Sequence, residues 1–167
     1  MTRVVIADAS ALQMMPKLTS KGKAIELFGE LTIRVESCLL CFPREVALDL
    51  GVTARDEHVA AWAAGLGRKL TPFRSDIKHM RTLMSYVRAC GYPDGFDSIS
   101  GDEPSIAHVS RLACQYAAEG KNFAVATEDT GEGPLSPTME QLCDTASWDR
   151  VGAAEALNHL GLASFLS

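Results

Sequence analysis

Two short apolar runs that each end on acid constrain this chain more than any other feature. The first, Val4-Val5-Ile6-Ala7, stops on Asp8, with Ser10 two residues further on; the second, Phe123-Ala124-Val125-Ala126-Thr127, stops on Glu128-Asp129. A brief uninterrupted apolar run bounded by polar residues reads as a strand buried on both faces, the kind that parallel sheets contain. Open α/β sheets bind their ligands outside the carboxyl ends of such strands. Both runs therefore deliver acid to one edge, and chemistry is expected there.

Helical patterns fill the interval between the two runs. Ile25, Leu27, Phe28, Leu31 and Val35 recur at helical spacing between Ala24 and Ser37, and the stretch from Ser37 to Phe42 reads as a strand. Pro43 ends that strand and starts a helix from Arg44 to Leu50, which Gly51 is expected to close. Asp56–Leu66 and Phe73–Cys90 read as two more helices, a helical arm at about 54–90, and a loop from Gly91 to Gly101 leads to a helix over Pro104–Glu119. After the second run come a Gly/Pro-rich loop, a helix at Met139–Cys143, a weak strand near Ala146–Trp148 and a helix at Arg150–Leu160. Strands and helices in alternation predict a mostly parallel sheet of four or five strands with helices on both faces. With no repeat or long linker, residues 1–167 read as one domain.

Composition narrows the class. The net charge of −5 disfavours an indiscriminate nucleic-acid binder, which normally carries a basic excess. No apolar stretch approaches the ~18 residues of a membrane span, and the chain runs from Met1-Thr2-Arg3 straight into a strand, so a cytoplasmic protein is expected. Five cysteines scattered over positions 38 to 143 suit reduced core thiols, since Cys38-Leu39-Leu40-Cys41 has no second such pair to complete a zinc site.

Four carboxylates fall at strand ends or helix starts: Asp8, Glu45, Glu103 and Asp129. Crowded together they repel one another, and protons or cations must neutralise them. An all-oxygen set selects Mg2+ or Mn2+ over zinc. Such an ion activates water and stabilises charge on a phosphodiester oxygen; two ions ~3.5–4 Å apart clamp both the attacking and leaving oxygens.

At these residues the sequence resembles the PIN-domain nucleases: Asp8-Ala9-Ser10 after a strand, Pro43-Arg44-Glu45-Val46, Glu103-Pro104-Ser105-Ile106-Ala107 opening a helix, and Thr127-Glu128-Asp129 after a later strand. The resemblance covers most of the chain. It implies a Rossmann-like α/β/α sandwich and a metal-dependent endoribonuclease, of the kind that serves as the toxin of bacterial toxin–antitoxin pairs. Carried over by position, Asp8, Glu45, Glu103 and Asp129 form the acidic quartet and Ser10 and Thr127 support it. Asp8, Glu103 and Asp129 would then ligate the metal, Glu45 would orient the attacking water, and a small antitoxin and a second copy of the chain would be the partners. The family's third acid is commonly aspartate, so Asp102, beside Glu103, stands as its alternative.

Each feature has a plainer reading. Glu45 and Glu103 suit helix N-termini through the dipole alone. Asp8 is harder to explain that way, because Ser10 is the better cap for a helix from Ala11 onward. Arg68, Lys69, Arg74, Lys78, Arg81 and Arg88 form a basic ridge in which Arg74, Lys78 and Arg81 share a helix face; it is either a solvated surface or a grip on the RNA backbone. His58, His79, His108 and His159 show no partner at triad or metal spacing, no phosphate-binding glycine loop is present, and the serine at position 10 excludes a two-aspartate phosphatase motif. Val151, Ala154, Leu157 and Leu160 on the tail helix suit either core or a homodimer interface. The alternative to the enzyme is a catalytically inactive PIN-like module that binds RNA or protein.

Overall fold

The computed structural model describes residues 3–70, 77–96 and 103–167. Four strands, β1 (Val4–Ala7), β2 (Leu40–Cys41), β3 (Phe123–Ala126) and β4 (Arg150–Val151), form an all-parallel sheet in the order β2-β1-β3-β4. Eight helices surround it among the described residues: α1 (Ala9–Leu18), α2 (Ala24–Glu36), α3 (Arg44–Thr53), α4 (His58–Leu66), α5 (Ile77–Ala89), α6 (Ser105–Ala118), α7 (Met139–Ala146) and α8 (Ala153–His159). This architecture is compatible with a Rossmann-like α/β/α fold. None of these helices is long and apolar enough to cross a membrane.

Every residue of β2 and β3 is buried, as are Val5, Ile6 and Ala7 of β1. That is why these strands carry no polar alternation: helices cover both faces, and each side chain meets apolar neighbours. The chain leaves β1 for β2 on one side, then crosses back past β1 to β3 on the other. The order therefore reverses between β1 and β3, and their carboxyl ends flank the crevice at that switch point. β1 and β3 pair over their whole length, from Val4 opposite Phe123 to Ala7 opposite Ala126, so Asp8 and Thr127 leave the sheet side by side.

Local expectations and structure differ at four places. Gly51 lies inside α3, which runs on to Thr53, because the next residues keep helical geometry and Ala54 caps the end through its amide to the Leu50 carbonyl. The strand expected over Ser37–Phe42 shrinks to Leu40–Cys41, with Cys38 in the left-handed region at φ 60°. The last strand forms at Arg150–Val151 rather than at Ala146–Trp148, since α7 extends to Ala146 and a left-handed Ser147 turns the chain there. On the tail, Val151, Leu157 and Leu160 are buried in the core and only Ala154 is exposed, so these residues offer no interface to a second copy.

Helices α4 and α5 pack into the body: α4 lies on α3 and stacks its Trp62 on Phe28 of α2 at 5.5 Å, and α5 lies on α6 and α7.

Candidate functional site

Asp8 sits at the switch point, 1 % exposed. Helix α1 begins at the very next residue, and Asp8, not Ser10, is its N-cap: the Ala11 amide donates to Asp8 Oδ1 at 2.9 Å. The capping role denied to Asp8 from sequence is thus real, because Asp8 is the single residue between the end of β1 and the start of α1. Ser10 does something else. Its hydroxyl donates to Asp8 Oδ1 at 2.6 Å and accepts from the Glu128 amide at 2.9 Å, tying the two strand ends together. The Thr127 hydroxyl donates to Asp8 Oδ2 and accepts from the Asp129 amide at 2.9 Å. One carboxylate therefore receives an amide and two hydroxyls.

Those donors lower the pKa of Asp8, but burial and the nearby charge of Asp129 outweigh them and hold it above the ordinary aspartate value. Asp129 is in turn fixed by the amide of Met139, the first residue of α7, which donates to its Oδ2 at 3.0 Å. Thr138 and Gln141 close a reciprocal capping box at the same helix end. Glu128 faces away and accepts from the Ala153 amide at 2.7 Å, at the start of α8.

The other two acids meet around α6. Glu45, in the first turn of α3 beyond β2, lies 3.7 Å from His108 Nδ1. Glu103, just ahead of α6, accepts from the buried Arg111 guanidinium at 2.7 Å and lies 3.9 Å from His108 Nε2. The Arg111 guanidinium is also 2.8 Å from His108 Nδ1. Burial and then the Arg111 charge push His108 below the usual histidine range, against the two glutamates, so it is neutral near pH 7. The Ser105 hydroxyl donates to Asp49 Oδ2 at 2.7 Å, which ties the start of α6 to α3. One oxygen of Glu45, Oε2, is buried without a hydrogen-bond donor among the described residues.

The four predicted acids thus fall into two pairs, Asp8 with Asp129 and Glu45 with Glu103, at the carboxyl side of neighbouring strands. Asp102 and Arg74 lie outside the described residues. Lys78 and Arg81 are exposed on α5. Sequence reading missed His108 and Arg111. A usable signal existed: the two are three apart and share a helix face, and Arg111 interrupts the apolar stripe of Val109, Leu112 and Ala113.

The donor set suits a hard cation. Among the described residues no three His, Cys, Asp or Glu side chains converge closely enough to hold an ion unaided. Magnesium asks for no more than one or two carboxylates, since it keeps several of its waters. Asp8 and Asp129 supply two such carboxylates in mutual repulsion, and the donorless Glu45 oxygen has room in its hydrogen-bonding for a cation's water. Glu103 fits the role least, because Arg111 already neutralises it. No protein-family model matches the chain, and no curated protein matches it significantly.

Proposed function

We propose that this chain is a metal-dependent endoribonuclease that hydrolyses RNA phosphodiester bonds at the carboxyl ends of β1 and β3. The observation that carries this reading is Asp8: a carboxylate buried at the switch point, oriented by two hydroxyls and an amide, and facing a second carboxylate across the crevice. Asp8 and Asp129 would hold Mg2+ or Mn2+. When bound, that ion lowers the pKa of water and offsets the charge that grows on the phosphoryl oxygens. Glu45 accepts a proton from the attacking water through its donorless oxygen. Ser10 and Thr127 prevent Asp8 from rotating, and Arg111 keeps Glu103 in place.

Cleavage of single-stranded RNA in Mg2+ or Mn2+, followed on gels, tests this. We expect EDTA to abolish it and Asp8→Asn, which keeps the helix cap, to slow it about 100-fold or more, equivalent to roughly 2.7 kcal/mol of barrier. Equal cleavage by Asp8→Asn overturns the reading. The same activity as a toxin arrests growth on expression and is rescued by a small antitoxin. One observation favours the inactive module: Glu103 is spent on Arg111 rather than left open. Under that reading RNA binds and no divalent ion produces cleavage.

A further inference from the structure

Helix α3 divides its side chains among three directions. Val46 and Leu50 enter the core, and Glu45 and Asp49 face the start of α6, where His108 and Ser105 meet them. The third direction is a groove between α3 and α4 of about 510 Å³, lined by Arg44, Ala47 and Leu48 on one side and by Ala63, Ala64 and Arg68 on the other. Its volume lies in the ~300–1,000 Å³ range of clefts that hold small organic groups.

We propose that this groove is the binding track for single-stranded RNA, with Arg44 and Arg68 contacting phosphates and Leu48 lying against a base; this rests on the hydrolase reading and names where its substrate lies. Three observations support it. First, both guanidiniums are exposed, and neither has an acid within ion-pair distance among the described residues, whereas the adjacent Lys69 is taken up by Glu36 at 2.7 Å. Two unspent cations on a chain of net charge −5 mark a local reversal of sign that suits a polyanion. Second, Leu48 is 55 % exposed between them, an apolar surface at water of the sort a flat base covers. Third, Arg44 and Glu45 are the first two residues of α3, so the groove starts at the helix end that carries one of the acids, with the two side chains on different faces.

The test is fluorescence anisotropy with a labelled single-stranded oligoribonucleotide in EDTA, where nothing is cut, alongside cleavage in Mg2+. Arg44→Ala and Arg68→Ala each weaken binding roughly fivefold, and each lowers the slope of log affinity on log salt by about 0.7. Arg68→Lys restores part of the loss. Lys121→Ala, at the opposite end of β3, binds as the parent does. Parental affinity in both arginine variants overturns the track, as does a loss found only in Arg81→Ala, or a groove that takes an acidic peptide but no RNA. Arginine-dependent binding without cleavage in any divalent ion supports the track and removes the hydrolase reading alone. Cleavage that persists unchanged in both variants removes the track alone.

Discussion

Asp8 combines demands that usually fall to separate side chains: it caps α1, ties β1 to β3 through Ser10 and Thr127, and faces Asp129. Its raised pKa has a consequence for stability. In the window between 3.8, the value in the unfolded chain, and the higher folded value, the native state holds a proton that the unfolded state has released. Stability contributed by this group is therefore lost as pH rises through that window, and above it the native state carries an ionised, buried carboxylate at a standing cost. Asp8→Asn lacks this dependence. Urea titrations from pH 4 to neutrality should show the variant gaining on the parent as pH rises and then holding level, with added Mn2+ favouring the parent most at the upper end. The position of Asp8 and Asp129 was legible because each ends an apolar run. The pairing of Glu103 with Arg111 was not, since it depends on how α6 docks on α3, which no local pattern encodes.

The loop after β3 and the helix it feeds act as one element. Asp129 and the Thr138–Gln141 box share the start of α7, and the Tyr92 hydroxyl donates to the Gly133 carbonyl at 2.6 Å, pinning the loop to the end of α5. Gly133 is obligatory for a steric reason: a Cβ there would stand 1.7 Å from the Ser136 carbonyl oxygen. Gly133→Ala should cost about 1–3 kcal/mol in denaturant unfolding. It should also speed hydrogen exchange at the Met139 amide that holds Asp129. Parental exchange at that amide would show that the loop and the acid are independent. At this scale most helices were readable from their 3.6-residue period, α2 and α6 to within a residue or two of their ends, whereas α1 was not delimited and α8 starts three residues later than the pattern suggested, after β4. The strands were less so. Two-residue strands such as β2 and β4 have no period to detect, and their limits follow from pairing with longer neighbours.

Across the molecule, one core joins both faces of the sheet, and its thiols report on it. Burial pushes Cys114 and Cys143 up to about 12, while Cys38 is exposed. Iodoacetamide should modify Cys38 in the native protein and reach Cys114 and Cys143 only as the fold opens in urea, a pattern that intact mass and peptide mapping resolve. Early labelling of Cys143 would mean that α7 separates from the core before the rest. The alternation of strands and helices announced the parallel sheet, but the reversal of order between β1 and β3 emerges only from pairing, and it is the reversal that brings the two acids together. The outer strands β2 and β4 are two residues each. With so little unsatisfied backbone along either flank, a second chain finds no template on which to extend the sheet, and the protein is guarded against fibrillar growth by brevity rather than by charge.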